Sequence, residues 1–285
     1  MGERLSTVGK LVAGDDGLPV EEVGEWVAEK HDLLRDYIQI SSATRKKYLP
    51  PPSSRGGAAY IDLFCGPGRS LVKSTGTFAD GGCVAAWRKS VESGAPFSKM
   101  IIGDKDPDRL ESATKRLKEL GAPVIPLRGA AKDTAFPAIQ KAGGQGLHFA
   151  FLDPYSLGAL DFSIISTLSR LQRIDMLVHV SQMDLQRNYD RNSTADASTF
   201  DAFAPGWRST VDVSATQKTG RQAFFEFWRQ LVASTGVETG REARLITGPG
   251  KQPLYLLMLA ARHELAHKFW QTVSKRDDPQ GKLLL

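Results

Sequence analysis

The chain has 285 residues, 41% of them hydrophobic and 24% charged, with a formal net charge of +5. Those proportions exclude a disordered, collagenous or fibrous protein and suit a globular chain long enough to bury a sizeable core. The most apolar run, Leu254 to Ala261, is far short of the roughly 18 residues of a membrane span. The opening MGERLS lacks the basic patch and apolar stretch of a secretion signal, so a cytoplasmic protein without membrane contact is expected. Cys65 and Cys83 have no CxxC partner or nearby His cluster; they are expected to be reduced thiols, and no metal site is expected. The basic balance favours anionic partners, with an ordinary solvated surface as an equal alternative.

Residues 1–19 are polar and glycine-rich, which predicts a loose tail. From Val20 to Tyr48, Val23, Trp26, Val27, Leu33, Leu34, Tyr37 and Ile38 recur at helical spacing. Pro50-Pro51-Pro52 would end that helix, and 53–57 read as a hinge. Residues 1–57 are thus expected as a tail and helical extension, and 58–285 as the main domain. Apolar runs then follow at AAYIDLF (58–64), SKMIIGD (98–104), APVIPL (122–127), LHFAFLD (147–153) and IDMLVHVSQ (174–182). Helical stretches at 83–93, 107–120 and 160–172 fall between most of them, and that alternation implies parallel strands joined by crossovers. Residues 184–219 break the alternation, polar and then aromatic without a period, which predicts an irregular substrate-side insertion whose stretch 184–207 folds over the acceptor as a lid. After a helix at 221–234, ARLIT (243–247) and LYLLMLAA (254–261) read as an antiparallel hairpin, followed by a helix from about 264 to 274. The expected fold is α/β and Rossmann-like, with a mostly parallel sheet and a C-terminal antiparallel hairpin.

Three strand ends carry chemistry. Asp62-Leu63-Phe64-Cys65-Gly66-Pro67-Gly68 runs from a strand into a glycine turn, where a missing Cβ lets backbone approach a ligand. It lacks the GK[ST] of a phosphate loop and the GxGxxG of a dinucleotide fingerprint. Asp104, ending the second strand, can accept both hydroxyls of a ribose; the alternative is that Asp104 or Asp106 caps the next helix. Leu152-Asp153-Pro154-Tyr155 ends the fourth strand with an acid, a rigid carbonyl and a ring, suited to holding an amino group on a planar acceptor, or else simply a turn. His179, within an apolar strand, reads as buried structure. His263 and His267 do not meet the HExxH order of a metal helix.

These motifs, together with Lys30-His31 followed by Leu34 and Tyr37, GGCVAA (81–86), DMLVHVSQMDLQRN (175–188) and PLYLLMLAARHELAHKFW (253–270), resemble the class I S-adenosylmethionine-dependent methyltransferases over about residues 58–261. More closely, they resemble the three-Cys-motif partner family. The resemblance implies S-adenosylmethionine as cofactor and methyl transfer to a nitrogen of a planar acceptor such as a nucleobase or nucleoside. The family name implies a protein partner. It assigns the cofactor to Asp62, Phe64, Cys65, Gly66, Pro67, Gly68, Arg69, Asp104, Lys105 and Asp153. Lys30, His31, Asp153, Pro154 and Tyr155 become the catalytic set, with Tyr155, Asp184, Arg187 and Asn188 on the substrate side. The chain departs from the amino-methyltransferase pattern by lacking a second proline after Asp153, and its third strand ends LRGAA rather than in an acid. Two alternatives therefore stand beside the nitrogen methyltransferase: an accessory partner without catalysis, and a methyltransferase of small molecules such as natural products.

Overall fold

The computed structural model describes residues 9–50, 55–212 and 216–275. The first eight residues of the expected tail, Pro51-Pro52, the start of the hinge and 213–215 of the insertion lie outside them.

The chain opens with β1 (Leu11–Ala13) and β2 (Pro19–Val23), then α1 (Val27–Ile40) and α2 (Ser42–Lys46). Next come β3 (Ala58–Asp62), β4 (Arg69–Val72), β5 (Thr77–Asp80), α3 (Gly82–Glu92), β6 (Lys99–Asp104), α4 (Pro107–Glu119), β7 (Val124–Arg128) and α5 (Ala131–Ala142). The second half runs through β8 (Leu147–Leu152), α6 (Phe162–Leu168), β9 (Ile174–Ser181), α7 (Gln182–Thr194), α8 (Thr199–Phe203) and α9 (Gln217–Ser234). It ends with β10 (Glu238–Thr247), β11 (Pro253–Ala261) and α10 (Glu264–Ser274).

Seven strands form one sheet in the order β10-β11-β9-β8-β3-β6-β7. β7, β6, β3, β8 and β9 are parallel, while β11 runs antiparallel to both β9 and β10. Both faces are buried, and alternate residues of each central strand serve opposite cores. Ala59 and Ile61 of β3, with Ala150 and Leu152 of β8, join the core under α5, α6 and α9. Ala58, Tyr60, Phe149 and Phe151 join the core under α1, α3, α4 and α10. This is why the strands read as continuous apolar runs rather than as alternations.

The N-terminal segment departs from expectation. Residues 19–23 are strand, not the start of a helix, and β2 pairs in parallel with β4. The stretch 69–80, expected as an inserted loop, is the β4–β5 hairpin. Together β1, β2, β4 and β5 make a second, four-stranded sheet. Two arginines of α4 fasten it. Arg116 holds Asp16 through Nε and Nη2 at 2.7 Å each and donates to the Pro67 carbonyl at 2.6 Å, while Arg109 pairs with Glu21 at 2.7 Å. The 184–219 stretch is also ordered differently: α7 and α8 occupy it, Ser181 caps α7, and Phe200, Phe203 and Trp207 bury themselves against α9. Its aromatic residues are core, which is why they showed no surface period. Helix α5 escaped the sequence reading because Pro137 lies inside it. No helix among the described residues is long and apolar enough to cross a membrane.

Candidate functional site

At the C-terminal ends of β3, β6 and β8 the molecule opens into a cleft of about 1630 Å³. Its floor is the turn after β3. Gly66 and Gly68 take φ of +56° and +78°, a region that costs a residue with a Cβ about 1–2 kcal/mol. Their surroundings differ. A Cβ on Gly68 would press on Ala113 and Val84, whereas one on Gly66 would project into the cleft, meeting only Glu21 Oε2 at 3.5 Å. Gly68 is thus required by packing and Gly66 by the cleft.

Three strand-end carboxyls surround this turn. Asp62 is buried, accepting from the Phe64 amide and the Tyr60 hydroxyl at 3.1 Å each. Burial pushes its pKa up to about 7, and the nearby Asp153 and Asp104 charges push the same way. Asp104 accepts from the Gly66 amide at 3.1 Å and from the Asp106 amide at 2.9 Å, and burial raises its pKa. The capping role falls to Asp106, which accepts from the amides of Asp108 and Arg109, so Asp104 is left to the cleft wall.

Asp153 is the centre of a charged network rather than a free acceptor. One oxygen accepts from Lys30 Nζ, and the other lies 2.6 Å from His179 Nδ1. Burial alone would raise this carboxyl, but the Lys30 charge and the His179 hydrogen bond outweigh it and hold the pKa well below the usual range. Lys30 is buried on α1, which lies over the same sheet face, and its Nζ also lies 5.7 Å from the centre of the Tyr255 ring. His31 is buried beside it, and burial drives its pKa down to about 3, so it is neutral at pH 7.

The cleft lining includes Lys30, His31, Asp62, Phe64, Cys65, Gly66, Pro67, Gly68, Asp104, Lys105, Asp153, Pro154 and Tyr155. At its mouth the half-exposed Tyr155 receives a hydrogen bond from Lys105 Nζ at 2.8 Å, the ammonium lying 4.1 Å from the ring centre. Four predicted residues are not in the lining. Arg69 is turned to Asp15 (2.6 Å) and Asp80 (3.3 Å), because the hairpin it begins faces the N-terminal strands. Asp184 accepts from the Leu157 amide at 2.8 Å and from Asn188, so both brace α7 rather than face a substrate. Arg187 is on the exposed side of α7.

Among the lining residues that the sequence did not mark as site residues are Glu21 of β2 and His179 of β9. Nothing local marks Glu21. His179 had a signal: on β9 the even residues Ile174, Met176, Val178 and Val180 are all core, whereas the odd ones read Asp175, Leu177, His179 and Ser181. A polar stripe on one face of an otherwise buried strand marks a face that meets polar groups. Asp175 meets the Tyr37 hydroxyl at 2.9 Å, and His179 meets Asp153.

The strand order, read from β7 to β10 with β11 reversed and the cleft at the β3–β6–β8 ends, is distinctive. It is that of the open, mostly parallel α/β sheet with one reversed strand that the sequence led us to expect. Solved structures similar to the chain include cofactor-bound Rv0187 from MTB, at 15% identity and a TM-score of 0.43 over 83% of this chain and 81% of that one. An O-methyltransferase from Bacillus cereus in complex with SAH is similar at 12% identity and a TM-score of 0.45, over 82% and 80%. A geranyl diphosphate methyltransferase in complex with GPP and sinefungin is similar at 15% identity and 0.36, over 83% and 78%. No protein-family model matches the chain, and no curated protein matches it. Among the described residues no group of three or more His, Cys, Asp or Glu is arranged to hold a metal ion.

Proposed function

We propose that this chain is an S-adenosylmethionine-dependent methyltransferase. The observation that carries the reading is the convergence on one cleft of a glycine turn whose Gly66 Cβ position is open, the Asp104 carboxyl ending β6, and the Asp153-Pro154-Tyr155 turn ending β8. The resemblance of these motifs to the three-Cys-motif partner family supports it.

S-adenosylmethionine supplies a methyl already activated on a sulfonium, so the protein's work is alignment and charge. The residues present fit it. Asp104 is the acceptor for ribose hydroxyls, with Lys105 and Tyr155 flanking it. Phe64, Cys65, Pro67 and Gly68 shape the backbone bed, and the α3 N-terminus at Gly82 faces the cleft, where a carboxylate would suit it. Asp62, Asp153 and Glu21 surround the turn with carboxyls, a field that suits the ammonium and sulfonium charges. Lys30 keeps Asp153 ionised and fixed, and His31 stays neutral beside it. Both Asp153 oxygens accept hydrogen bonds, from Lys30 and His179, as both Asp104 oxygens do from amides, and each carboxylate keeps lone pairs for a further donor.

Isothermal calorimetry with S-adenosylmethionine and S-adenosylhomocysteine tests the reading. Saturable binding of both is expected, weakened about tenfold or more in Asp104→Ala, tenfold being about 1.4 kcal/mol. Absence of binding by the wild type refutes it.

A further inference from the structure

Resting on the methyltransferase reading, we infer that His179 is the general base of the reaction and that the acceptor is a small aromatic molecule methylated on a hydroxyl oxygen. Asp153 is held as a carboxylate by Lys30, so it can only accept, and Nδ1 of His179 must carry the hydrogen between them. The unshared pair of the imidazole is therefore on Nε2. That atom is buried, and no hydrogen-bond partner meets it among the described residues. Other buried nitrogens and hydroxyls lack partners too, at His148, Tyr189 and Trp228, but those residues do not line the cleft; His179 and Tyr255 do, as does Arg109, whose Nη atoms are held by Glu21 and the Gly9 carbonyl. Tyr255 brings a second such atom, its hydroxyl, and its ring centre lies 4.0 Å from that of His179. A carboxylate on Nδ1 orients the imidazole and stabilises the imidazolium that forms when Nε2 takes a proton, the arrangement that activates a hydroxyl.

The chemistry follows from what each acceptor needs. An amine attacks with a free pair and sheds its proton afterwards, so it gains little from a fixed base. A hydroxyl attacks poorly until its proton leaves. In the step inferred here the acceptor oxygen bonds to the methyl carbon while the carbon–sulfur bond breaks with its electron pair on sulfur. The hydroxyl proton passes to Nε2 of His179 and later to solvent.

The cleft lining selects the class. Trp26, Val27, Met183, Leu254 and Tyr255 give it apolar and aromatic surface, with Tyr255 against His179. The lining as a whole carries eight Asp and Glu against six Lys and Arg, so a polyanion meets no net positive field there. An uncharged or weakly acidic phenol fits both facts.

The protein saturated with S-adenosylhomocysteine is titrated by calorimetry with catechol, 4-nitrophenol and a short single-stranded oligonucleotide. Methyl transfer from labelled S-adenosylmethionine to catechol is then measured for wild type, His179→Gln and His179→Asn. Phenol binding without oligonucleotide binding is expected, with label on the catechol oxygen. Both variants should lose about 10²–10⁴ in kcat, the usual worth of a general base, while S-adenosylhomocysteine affinity stays within about threefold as the sign of an intact fold. If the phenols do not bind, bind without accepting label, or are methylated within a few-fold of wild type by both variants, the inference is overturned while cofactor binding leaves the methyltransferase reading standing. Failure of S-adenosylhomocysteine to bind the wild type removes both. Loss of that affinity in only one variant leaves the other to decide; loss in both makes His179 a structural residue and overturns the assignment.

Discussion

Alanine at Gly66 and at Gly68 separates the two reasons a glycine can be required. Both backbones are left-handed, so each substitution costs about 1–2 kcal/mol in backbone strain alone. At Gly68 the new methyl also lies 3.2 Å from Ala113 Cα and 3.1 Å from Val84 Cγ2, and the Cα belongs to helix backbone that cannot swing aside. Overpacking of that kind adds about 1–3 kcal/mol, for a total near 2–5 kcal/mol. At Gly66 the only neighbour within 4 Å among the described residues is Glu21 Oε2 at 3.5 Å, an ordinary contact, so the loss should stay near about 1–2 kcal/mol. The costs to binding run the other way, because the Gly66 methyl enters the cleft. Urea denaturation of the two variants should rank Gly68→Ala clearly less stable. Calorimetry should find the larger loss of S-adenosylmethionine affinity, about tenfold or more, in Gly66→Ala, the folded fraction being accounted for. Equal destabilisation by the two, or a Gly66→Ala protein that binds the cofactor as wild type does, would refute the assignment of the turn.

Three further outcomes are expected. Lys30→Met strips a buried carboxylate of its cation; breaking such a pair typically costs about 3–5 kcal/mol, and a urea midpoint within error of wild type would contradict the network around Asp153. Burial pushes Asp175 from its ordinary 3.8 up to about 6, so between those values the unfolded chain gives up a proton that the folded chain keeps. Its presence therefore costs stability increasingly as pH rises through that window, and Asp175→Asn should gain on wild type between pH 4 and 7; a stability gap independent of pH would count against it. Arg116→Leu should leave residues 11–23 open to limited proteolysis before the main sheet is cut, since Arg116 ties Asp16 and the carbonyls of Leu18, Pro19 and Pro67 together; cleavage in the opposite order would show that the segment is held by other means.

The main sheet was legible because its strands are buried on both faces and therefore announce themselves as apolar runs ended by glycine or aspartate. The three motifs at strand ends 62, 104 and 153 were legible for the same reason: a polar residue that terminates such a run has few places to be except the cleft. What could not be read is whatever depends on a distant partner. Val20 and Val23 fit a helical count as well as a strand, and only the pairing with β4, some fifty residues on, decides between them. Arg69 has the charge to meet a carboxylate, but sequence spacing does not say that Asp15 and Asp80 reach it first. Lys30 was singled out without a mechanism; its meaning lies in Asp153, 123 residues away. His179 was read as buried, and it is; what the run as a whole did not show is that the odd positions of β9 meet polar groups such as Asp153.

The parallel pairing of β2 with β4 also sets an order of events during synthesis. β2 leaves the ribosome well before β4, and α4, whose Arg109 and Arg116 receive Glu21 and Asp16, is made later still. Residues 11–23 can form their own hairpin at once, but their ion pairs to α4 must wait until about residue 116 has emerged. A wall that is made early and fastened later closes onto a glycine turn that already exists, and the cleft is complete only when His179 of β9 and Tyr255 of β11 have been translated as well.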